Sequence, residues 1–136
     1  MTAPSRPSAF VLEDNAFWFD AARQRRLVVQ ECAGCGRLRH PPSPWCPECR
    51  SGDWRERECR GTGAVHSYVV SHHPRHEFFT YPLPVVLVDL DEGTRLVAGY
   101  GADPDDLAIG QRVAVSWVVD VDGGTWPVFL PAEEPS

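Results

Sequence analysis

The sequence contains no lysine and a single methionine, and none of its 136 residues belongs to a long apolar run. A membrane-spanning helix needs about 18–20 consecutive apolar residues, so we expect no membrane partner. Residues 1–10 lack the apolar core of a secretory signal and show no lipidation motif. We therefore expect a cytoplasmic globular protein, in which clustered cysteines bind metal instead of forming disulfides.

Charge is distributed unevenly along the chain. All 13 basic side chains are arginines, and with 19 acidic ones they give a net charge of -6. Residues 1–60 carry 10 arginines and 8 acidic side chains, whereas residues 61–136 carry 3 arginines and 11 acidic side chains. This division predicts two structural units with different surfaces. Nucleic-acid binding depends on a cationic surface, so the acidic half disfavours that function.

A short amphipathic helix is predicted after the Pro/Ser-rich residues 1–9. Asp14 or Asn15 can cap this helix by accepting a hydrogen bond from a free amide. The apolar positions follow helical spacing and are Phe17, Trp18, Ala21 and Ala22. Residues 27–30 are then predicted as a strand, and residues 54–59 as a second strand that pairs with it.

Five strand-like runs rich in β-branched residues follow residue 60, each bounded by Gly, Pro or Asp. They are residues 64–70, 84–90, 95–101, 112–119 and 126–130. Between the third and fourth runs, Asp103 and Pro104 predict one short helical turn. The DGG sequence at residues 122–124 predicts a tight hairpin. This arrangement favours a five-stranded OB-fold barrel, with a five-stranded sandwich fragment as the alternative.

Four of the five cysteines form two CxxC pairs, Cys32 with Cys35 and Cys46 with Cys49. Zinc binds four thiolates in a tetrahedron, and two tight turns that each present two thiolates supply them. Iron in the same geometry is the alternative. Because four protein ligands leave no open position, we predict a structural metal. Cys59 stands apart and is predicted to be a buried core residue.

Several segments, in this order, resemble the acyl-CoA-associated zinc-ribbon/OB-fold family. They are FWFDAARQRRLVVQECAGCG (17–36), RHPPSPWCPEC (39–49), GTGAVHSYVV (61–70), VLVDLDEGTRL (86–96) and IGQRVAV (109–115). The resemblance implies a mainly β fold, in which an N-terminal helix and a rubredoxin-like zinc ribbon precede a five-stranded OB-fold barrel. The expected division is residues 1–26 for the tail and helix, 27–60 for the zinc ribbon and 61–136 for the barrel.

The resemblance also implies a function as a zinc-binding accessory subunit. Such a chain docks on a thiolase-fold or lipid-transfer-type protein in a hetero-oligomer, with acyl-CoA as a shared ligand of the complex. Relatives with lipid-transfer-type partners act in steroid side-chain degradation, where a retro-aldol step cleaves a β-hydroxyacyl-CoA to a ketosteroid and propionyl-CoA. A subunit of an acetyl-CoA acetyltransferase or thiolase is the alternative within this class. A single-stranded nucleic-acid-binding OB protein is the alternative from another class.

Candidate contacts with CoA or a partner come from three places. Phe17 and Trp18 on the helix can be interface anchors or core residues. Arg37 and Arg39, between the cysteine pairs, can bind CoA phosphates through bidentate hydrogen bonds or form a solvated charged face. The loop at residues 71–84 joins the first two barrel strands, where OB-folds bind ligands, or packs its rings against the barrel. Its candidate residues are His72, His73, His76, Phe78, Phe79 and Tyr81.

No catalytic residue is predicted. The motifs of serine hydrolases, zinc metalloproteases and nucleotide-binding enzymes do not occur. His66 lies on a predicted strand without an orienting group among its sequence neighbours, so it is a poor candidate for a general base. A standalone enzyme that uses the histidines of the loop is a further alternative. We expect the chemistry of the complex to belong mainly to the partner.

Overall fold

The structure of the chain, a computed structural model, describes Ala9 and residues 11–132. These residues form one α-helix, one 3₁₀ turn and eight strands. They are α1 (Ala16–Arg23), β1 (Leu27–Cys32), β2 (Leu38–Arg39), β3 (Trp54–Cys59), β4 (Thr62–Ser71), β5 (Leu83–Leu90), β6 (Arg95–Tyr100), the 3₁₀ turn (Pro104–Asp106), β7 (Arg112–Val119) and β8 (Thr125–Pro131). The predicted fold class, mainly β with an N-terminal helix, is confirmed.

The ribbon is a three-stranded antiparallel sheet with the strand order β2-β1-β3. β1 and β3 are aligned from Leu27 opposite Cys59 to Cys32 opposite Trp54. This register places Cys32, the last residue of β1, at the end of the sheet, where the first cysteine turn follows. β2 contains two residues and pairs only with β1. So small a sheet is marginal in water without further support.

The five C-terminal strands form a closed barrel in the order β4-β5-β6-β8-β7. β4 closes the barrel by pairing antiparallel with β7, whereas β6 and β8 pair in parallel. This strand order, with the 3₁₀ turn between β6 and β7, is that of an OB-fold. The predicted barrel is therefore confirmed, and the sandwich alternative is wrong.

One continuous core joins the helix, the ribbon and the barrel. Trp18 of α1, Val28 and Val29 of β1, and Phe129 of β8 belong to the same cluster of buried side chains. Cys59 is 6% exposed and lies in this cluster, so its prediction as a core residue is confirmed. Each fully buried apolar side chain contributes about 1.5–3 kcal/mol. Loss of the ribbon therefore exposes part of the barrel's core as well.

The helix starts without the predicted side-chain cap. Asn15 occupies the cap position, but its side chain makes no capping hydrogen bond. Its Oδ1 accepts a hydrogen bond from the Leu12 amide at 2.7 Å, because the chain turns just before the helix. The cap predicted at Asp14 or Asn15 is wrong, and burial of Trp18, Ala21 and Ala22 holds the helix instead.

The two predicted turns of the barrel are present. Asp103 accepts a hydrogen bond from the Asp105 amide at 2.9 Å and so caps the 3₁₀ turn. In the hairpin between β7 and β8, buried Asp120 accepts from the Gly124 amide at 2.9 Å and from the Trp126 indole N–H at 3.0 Å. One carboxylate thus satisfies donors in the hairpin turn and on β8.

Asp91 connects three barrel segments at the point where β5 ends. Its carboxylate accepts two hydrogen bonds from Arg112 at 2.7 and 2.8 Å, and one from the Thr62 hydroxyl at 2.7 Å. The hydrogen bonds from Arg112, and then that from Thr62, hold the pKa of Asp91 well below its ordinary value. The stabilisation is therefore complete at neutral pH and is lost as the pH falls below the ordinary carboxyl range.

We expect the substitution Asp91→Asn to lower the free energy of unfolding by about 1–2 kcal/mol at pH 7, since charge-assisted hydrogen bonds are replaced by weaker ones. The matched control is Asp20→Asn, which removes an exposed ion pair with Arg23 and should change stability by less than about 0.5 kcal/mol. Urea denaturation of the zinc-loaded proteins measures both values. Equal losses in the two variants would contradict the role assigned to Asp91.

Candidate metal centre and ribbon–barrel cleft

The paired cysteines are presented by two turns of similar backbone geometry. The Gly36 amide donates to the Cys32 carbonyl, and the Arg50 amide donates to the Cys46 carbonyl, both at 2.9 Å. The residue after each pair has a positive φ, 79° at Gly36 and 64° at Arg50. Glycine adopts this conformation freely, whereas other residues disfavour it. A glycine after a cysteine pair is a sequence signal for such a turn, whereas nothing in the sequence marks Arg50 for the same conformation.

The four sulfur atoms are close enough to bind one metal ion. The Sγ atoms of Cys32 and Cys49 are 3.4 Å apart, and those of Cys35 and Cys46 are 3.7 Å apart. All four lie within 4.8 Å of one another. Four sulfurs at about 2.3 Å from a tetrahedral zinc ion are about 3.8 Å apart, so the donor set fits zinc. With four protein ligands, a bound zinc stabilises the fold and offers no position for a substrate.

Backbone amides favour the thiolate form of the first cysteine in each pair. The hydrogen bond from the Cys35 amide is the main cause that lowers the pKa of Cys32 to about 6. The pKa of Cys46 is likewise lowered, chiefly by the Cys49 amide. Since metals bind the thiolate, these amides prepare two of the four ligands that a zinc ion requires.

The aromatic candidates on the helix contribute to internal packing. Trp18 is 8% exposed and belongs to the core. Phe17 packs against Trp54 of β3, with the ring centroids 4.5 Å apart. Both rings therefore attach the helix to the rest of the chain. Their proposed contact with a partner stays a prediction.

The two arginine candidates have different surroundings. Arg37 is exposed and donates to Glu48 at 2.6 Å. Arg39 is 7% exposed, and its Nη2 donates to the Ser43 carbonyl at 3.2 Å. Its Nε and Nη1 atoms are buried and have no hydrogen-bond partner among the described residues. These contacts do not test the prediction that both arginines bind CoA phosphates. They show that Arg37 is paired with a carboxylate, whereas Arg39 has no carboxylate partner among the described residues.

A cleft of about 540 Å³ separates the ribbon from the barrel, and both arginines line it. The ribbon contributes residues 37–40 and Pro47, and the barrel contributes residues 89–90 and 93–95. His40 lies on the ribbon side of this cleft, and burial lowers its pKa to about 4. His40 is therefore uncharged at neutral pH, and the cationic groups of the cleft are its arginines.

The loop between β4 and β5 is packed on itself. The His76 amide donates to the Tyr81 hydroxyl at 2.9 Å, and the His76 ring stacks on Phe78 at 5.2 Å between centroids. The Arg75 guanidinium lies 5.7 Å from the centre of the Tyr81 ring. The three loop histidines are exposed, and the aromatic rings are half-buried; these candidates are His72, His73, His76, Phe78, Phe79 and Tyr81. Their role in binding CoA or a partner stays a prediction.

His66 has the orienting group that its sequence neighbours did not reveal. Its Nδ1 lies 3.0 Å from Asp89 Oδ2, and Asp89 Oδ1 accepts a hydrogen bond from Arg95 at 2.7 Å. The hydrogen bond from Arg95, more than that from His66, lowers the pKa of Asp89. The register of β4 and β5 shifts between Val65 and Ser67, so a bulge at His66 turns its side chain toward Asp89. A sequence pattern does not predict such a bulge.

Together, the cysteine centre, the three-stranded ribbon and the closed barrel define a zinc-ribbon/OB-fold protein. Residues 19–55 match the family model described as "ChsH2, rubredoxin-like zinc ribbon domain". Residues 56–125 match the model described as "ChsH2, C-terminal OB-fold domain". The chain belongs to the ChsH2/DUF35 family, and the resemblance stated from the sequence is confirmed.

Three curated relatives are similar to this chain. A probable enoyl-CoA hydratase alpha subunit from Thermomonospora curvata is 53% identical over 128 residues, which are 93% of this chain and 40% of that protein. The 3-oxo-4,17-pregnadiene-20-carboxyl-CoA hydratase alpha subunit from Mycobacterium tuberculosis is 37% identical over 93% of this chain and 39% of its own length. A DUF35 domain-containing scaffold protein from Methanothermobacter thermautotrophicus is 35% identical, over 71% of this chain and 74% of its own. The chain thus spans about two fifths of the length of the two hydratase subunits.

Two solved structures are similar to the fold. A chain of the Ltp2-ChsH2(DUF35) aldolase matches with a TM-score of 0.87 and 52% identity, over 93% of this chain and 100% of that one. A DUF35 protein from Sulfolobus solfataricus matches with a TM-score of 0.62 and 16% identity, over 88% of this chain and 86% of that one. The second likeness concerns the fold alone. Within the described residues, no helix is long and apolar enough to cross a membrane.

Proposed function

We propose that this chain is a zinc-stabilised accessory subunit that docks on a thiolase-fold protein of the lipid-transfer type. The observation that carries the proposal is the likeness to the whole length of a chain in the Ltp2-ChsH2(DUF35) aldolase. The proposed reaction of the complex is a retro-aldol cleavage of a β-hydroxyacyl-CoA. The similarity to a hydratase subunit named for a pregnadiene carboxyl-CoA supports a steroid side chain as the acyl group, with a ketosteroid and propionyl-CoA as products.

The division of labour follows from the chemistry of the cleavage. A retro-aldol step needs a base for the β-hydroxyl proton and a group that stabilises the enolate of the departing thioester. A zinc ion held by Cys32, Cys35, Cys46 and Cys49 would have four sulfur ligands and therefore no position for an enolate oxygen. We assign the base and the enolate-stabilising groups to the partner, and we assign docking, support and a share in acyl-CoA binding to this chain.

The exposed apolar side chains support a docking role. Trp45, Val69, Val97 and Ile109 are each between 60% and 73% exposed, although large apolar side chains gain free energy by burial. Tryptophan in particular is enriched among residues that dominate binding energy at interfaces. These side chains are the first to examine for contact with the partner.

The proposal is tested by co-expression of this chain with a lipid-transfer-type thiolase-fold protein. We expect the two to co-purify through size-exclusion chromatography in a fixed ratio, and the complex to cleave a steroid β-hydroxyacyl-CoA with release of propionyl-CoA. The buried interface should exceed about 1,000 Å². A biosynthetic acetyl-CoA acetyltransferase serves as the partner control, because a preference for it would support the thiolase alternative.

Two results would contradict the proposal. The first is full cleavage activity of this chain alone, which would place the chemistry here. The second is the failure of the zinc-loaded chain to bind either type of thiolase-fold protein. A salt-dependent shift with single-stranded DNA or RNA in that case would favour the nucleic-acid alternative.

A further inference from the structure

A groove of about 510 Å³ lies at the end of the barrel where β5 begins and β6 ends. Its lining comes from two segments, residues 80–84 at the start of β5 and residues 100–105 between the end of β6 and the 3₁₀ turn. Among the described residues, none lines both this barrel groove and the ribbon–barrel cleft. The cysteines of the metal centre do not line it either. The barrel groove is therefore a separate candidate site.

Rigid rings dominate the lining of the barrel groove. They belong to Tyr81, Pro82, Pro84, Tyr100 and Pro104. Tyr100 is 6% exposed, and its hydroxyl accepts a hydrogen bond from Gln111 Nε2 at 3.1 Å, so this ring is held in place. Grooves lined by aromatic rings bind proline-rich segments, which are already extended as polyproline II helices and so lose little entropy on binding. The lining therefore favours proline rings as the bound groups.

Two hydroxyl groups in the barrel groove can serve the backbone of such a segment. A polyproline II helix has no internal hydrogen bonds, so its carbonyls need donors from the binding site. The Tyr81 hydroxyl accepts a hydrogen bond from the His76 amide at 2.9 Å, which leaves its own proton for a further acceptor. Thr80 lines the groove at an exposed position and adds a second hydroxyl. The groove thus supplies donors to a ligand whose prolines offer only acceptors.

The 3₁₀ turn makes one part of the barrel groove acidic. Asp103 and Asp105 line the groove, and Asp106 follows in the same turn. All three are exposed, and none forms an ion pair within the described part of the chain. Complementary charge selects the partner and its orientation at an interface. These carboxylates favour a ligand with a cationic side chain and disfavour one that carries phosphates.

We propose that the barrel groove binds an extended, proline-containing segment of another protein, with an arginine or lysine of that segment beside Asp105. A polyproline II helix has three residues per turn, so prolines at positions i and i+3 of the segment pack on the rings of the groove. The two hydroxyls donate to its carbonyls, and the acidic turn fixes its direction. This site does not depend on docking to a thiolase-fold protein.

The test uses the full-length, zinc-loaded chain without a partner, labelled with ¹⁵N, near neutral pH and at constant ionic strength. The probes are two capped synthetic peptides of opposite direction, RPPPLPP and PPLPPPR. The capped peptide RGSGSGS has the same charge without proline and serves as the control. We expect saturable shifts of the Gly101, Ala102 and Asp105 amide signals with at least one proline peptide, and no saturation with the control.

Variants separate the contributions of charge and hydrogen bonding. Asp105→Asn should weaken binding of the arginine-containing peptide about threefold and leave the capped, arginine-free peptide PPPPLPP within about twofold. The matched control is Asp53→Asn, an exposed ribbon carboxylate without an ion pair among the described residues, which should leave both peptides within about twofold. Tyr81→Phe keeps the ring and removes the hydroxyl, so it should weaken every proline peptide about threefold or more.

Three results would overturn the peptide site. They are the absence of saturable shifts with both proline peptides, equal affinity for RGSGSGS, and equal effects of Asp105→Asn and Asp53→Asn. Residues 4–7 are Pro-Ser-Arg-Pro, so a chain that lacks residues 1–7 is also measured. If this deletion alone shifts the groove signals, the chain's own segment is the occupant, and the assignment to another protein is wrong. All measurements use the isolated chain, so the peptide site and the proposed function can fail separately.

Discussion

Removal of the metal will unfold the ribbon and lower the stability of the barrel. The ribbon has a two-residue strand, β2, and two cysteine turns that follow short strands. Such a sheet is marginal in water on its own. Structural zinc supplies about 10–16 kcal/mol of apparent binding energy in small zinc domains, which is comparable with the whole stability of a typical domain, about 5–15 kcal/mol.

The effect will reach the barrel because the two parts share a core. Val28 and Val29 of β1 are fully buried in the same cluster as Phe129 of β8. When the ribbon loses its cysteine turns, β1 is no longer held against β2, and these side chains become exposed. We therefore expect metal removal to disrupt the ribbon and the barrel together. The barrel that remains should be less stable than the barrel of the zinc-loaded chain.

The experiment combines metal analysis with unfolding. The purified chain should contain about one zinc per molecule, and a strong chelator should lower the melting temperature by more than about 10 °C. Cys49→Ser should behave like the chelated protein. The matched control is Cys59→Ser, which alters a buried cysteine outside the metal centre; it should retain zinc. Unchanged circular dichroism and melting after complete metal removal would contradict the structural role.

The sequence was sufficient for the parts of this fold that depend on local pattern. The run at residues 83–90 alternates half-buried and buried positions, and its β-branched residues predict a strand directly. The spacing of Cys32, Cys35, Cys46 and Cys49 predicted a metal centre, because two tight turns restrict where four sulfurs can go. In both cases, neighbours in sequence determine the geometry.

Features that depend on long-range register were not predictable in this way. The His66–Asp89 contact arises from a bulge across two strands whose connection is a long loop. The surroundings of Arg39 depend on how the ribbon and barrel are packed. An amphipathic helix shows that one face is covered, but not whether Trp18 is covered by this chain or by a partner. Residues 1–8, residue 10 and residues 133–136 lie outside the described part of the chain, so the predictions for those segments stay predictions.

The substitution Gly61→Ala should lower the free energy of unfolding by about 2–5 kcal/mol. Gly61 is the corner where β3 leaves the ribbon and β4 enters the barrel, and its φ is 82°. A left-handed conformation costs an L side chain about 1–2 kcal/mol. In addition, an alanine Cβ would overlap Val115 Cγ1 and lie 3.0 Å from Val115 Cβ. Overpacking of this kind adds about 1–3 kcal/mol.

Gly110 provides the matched control, because its φ is 87° but no atom lies within 4 Å of the position that an alanine Cβ would take. Gly110→Ala should therefore show the conformational cost alone, about 1–2 kcal/mol.

The double variant Gly61→Ala/Val115→Ala removes the overlapping methyl group. In a double-mutant cycle it should show a favourable coupling of about 1 kcal/mol or more. Urea denaturation with zinc present gives the free energies of unfolding of these three variants, of Val115→Ala and of the unmodified chain. Equal losses for Gly61→Ala and Gly110→Ala, without coupling to Val115, would mean that backbone conformation alone requires glycine at this corner. A larger loss for Gly61→Ala than for Gly110→Ala, with coupling to Val115, would show that this corner requires glycine also because it packs closely against β7.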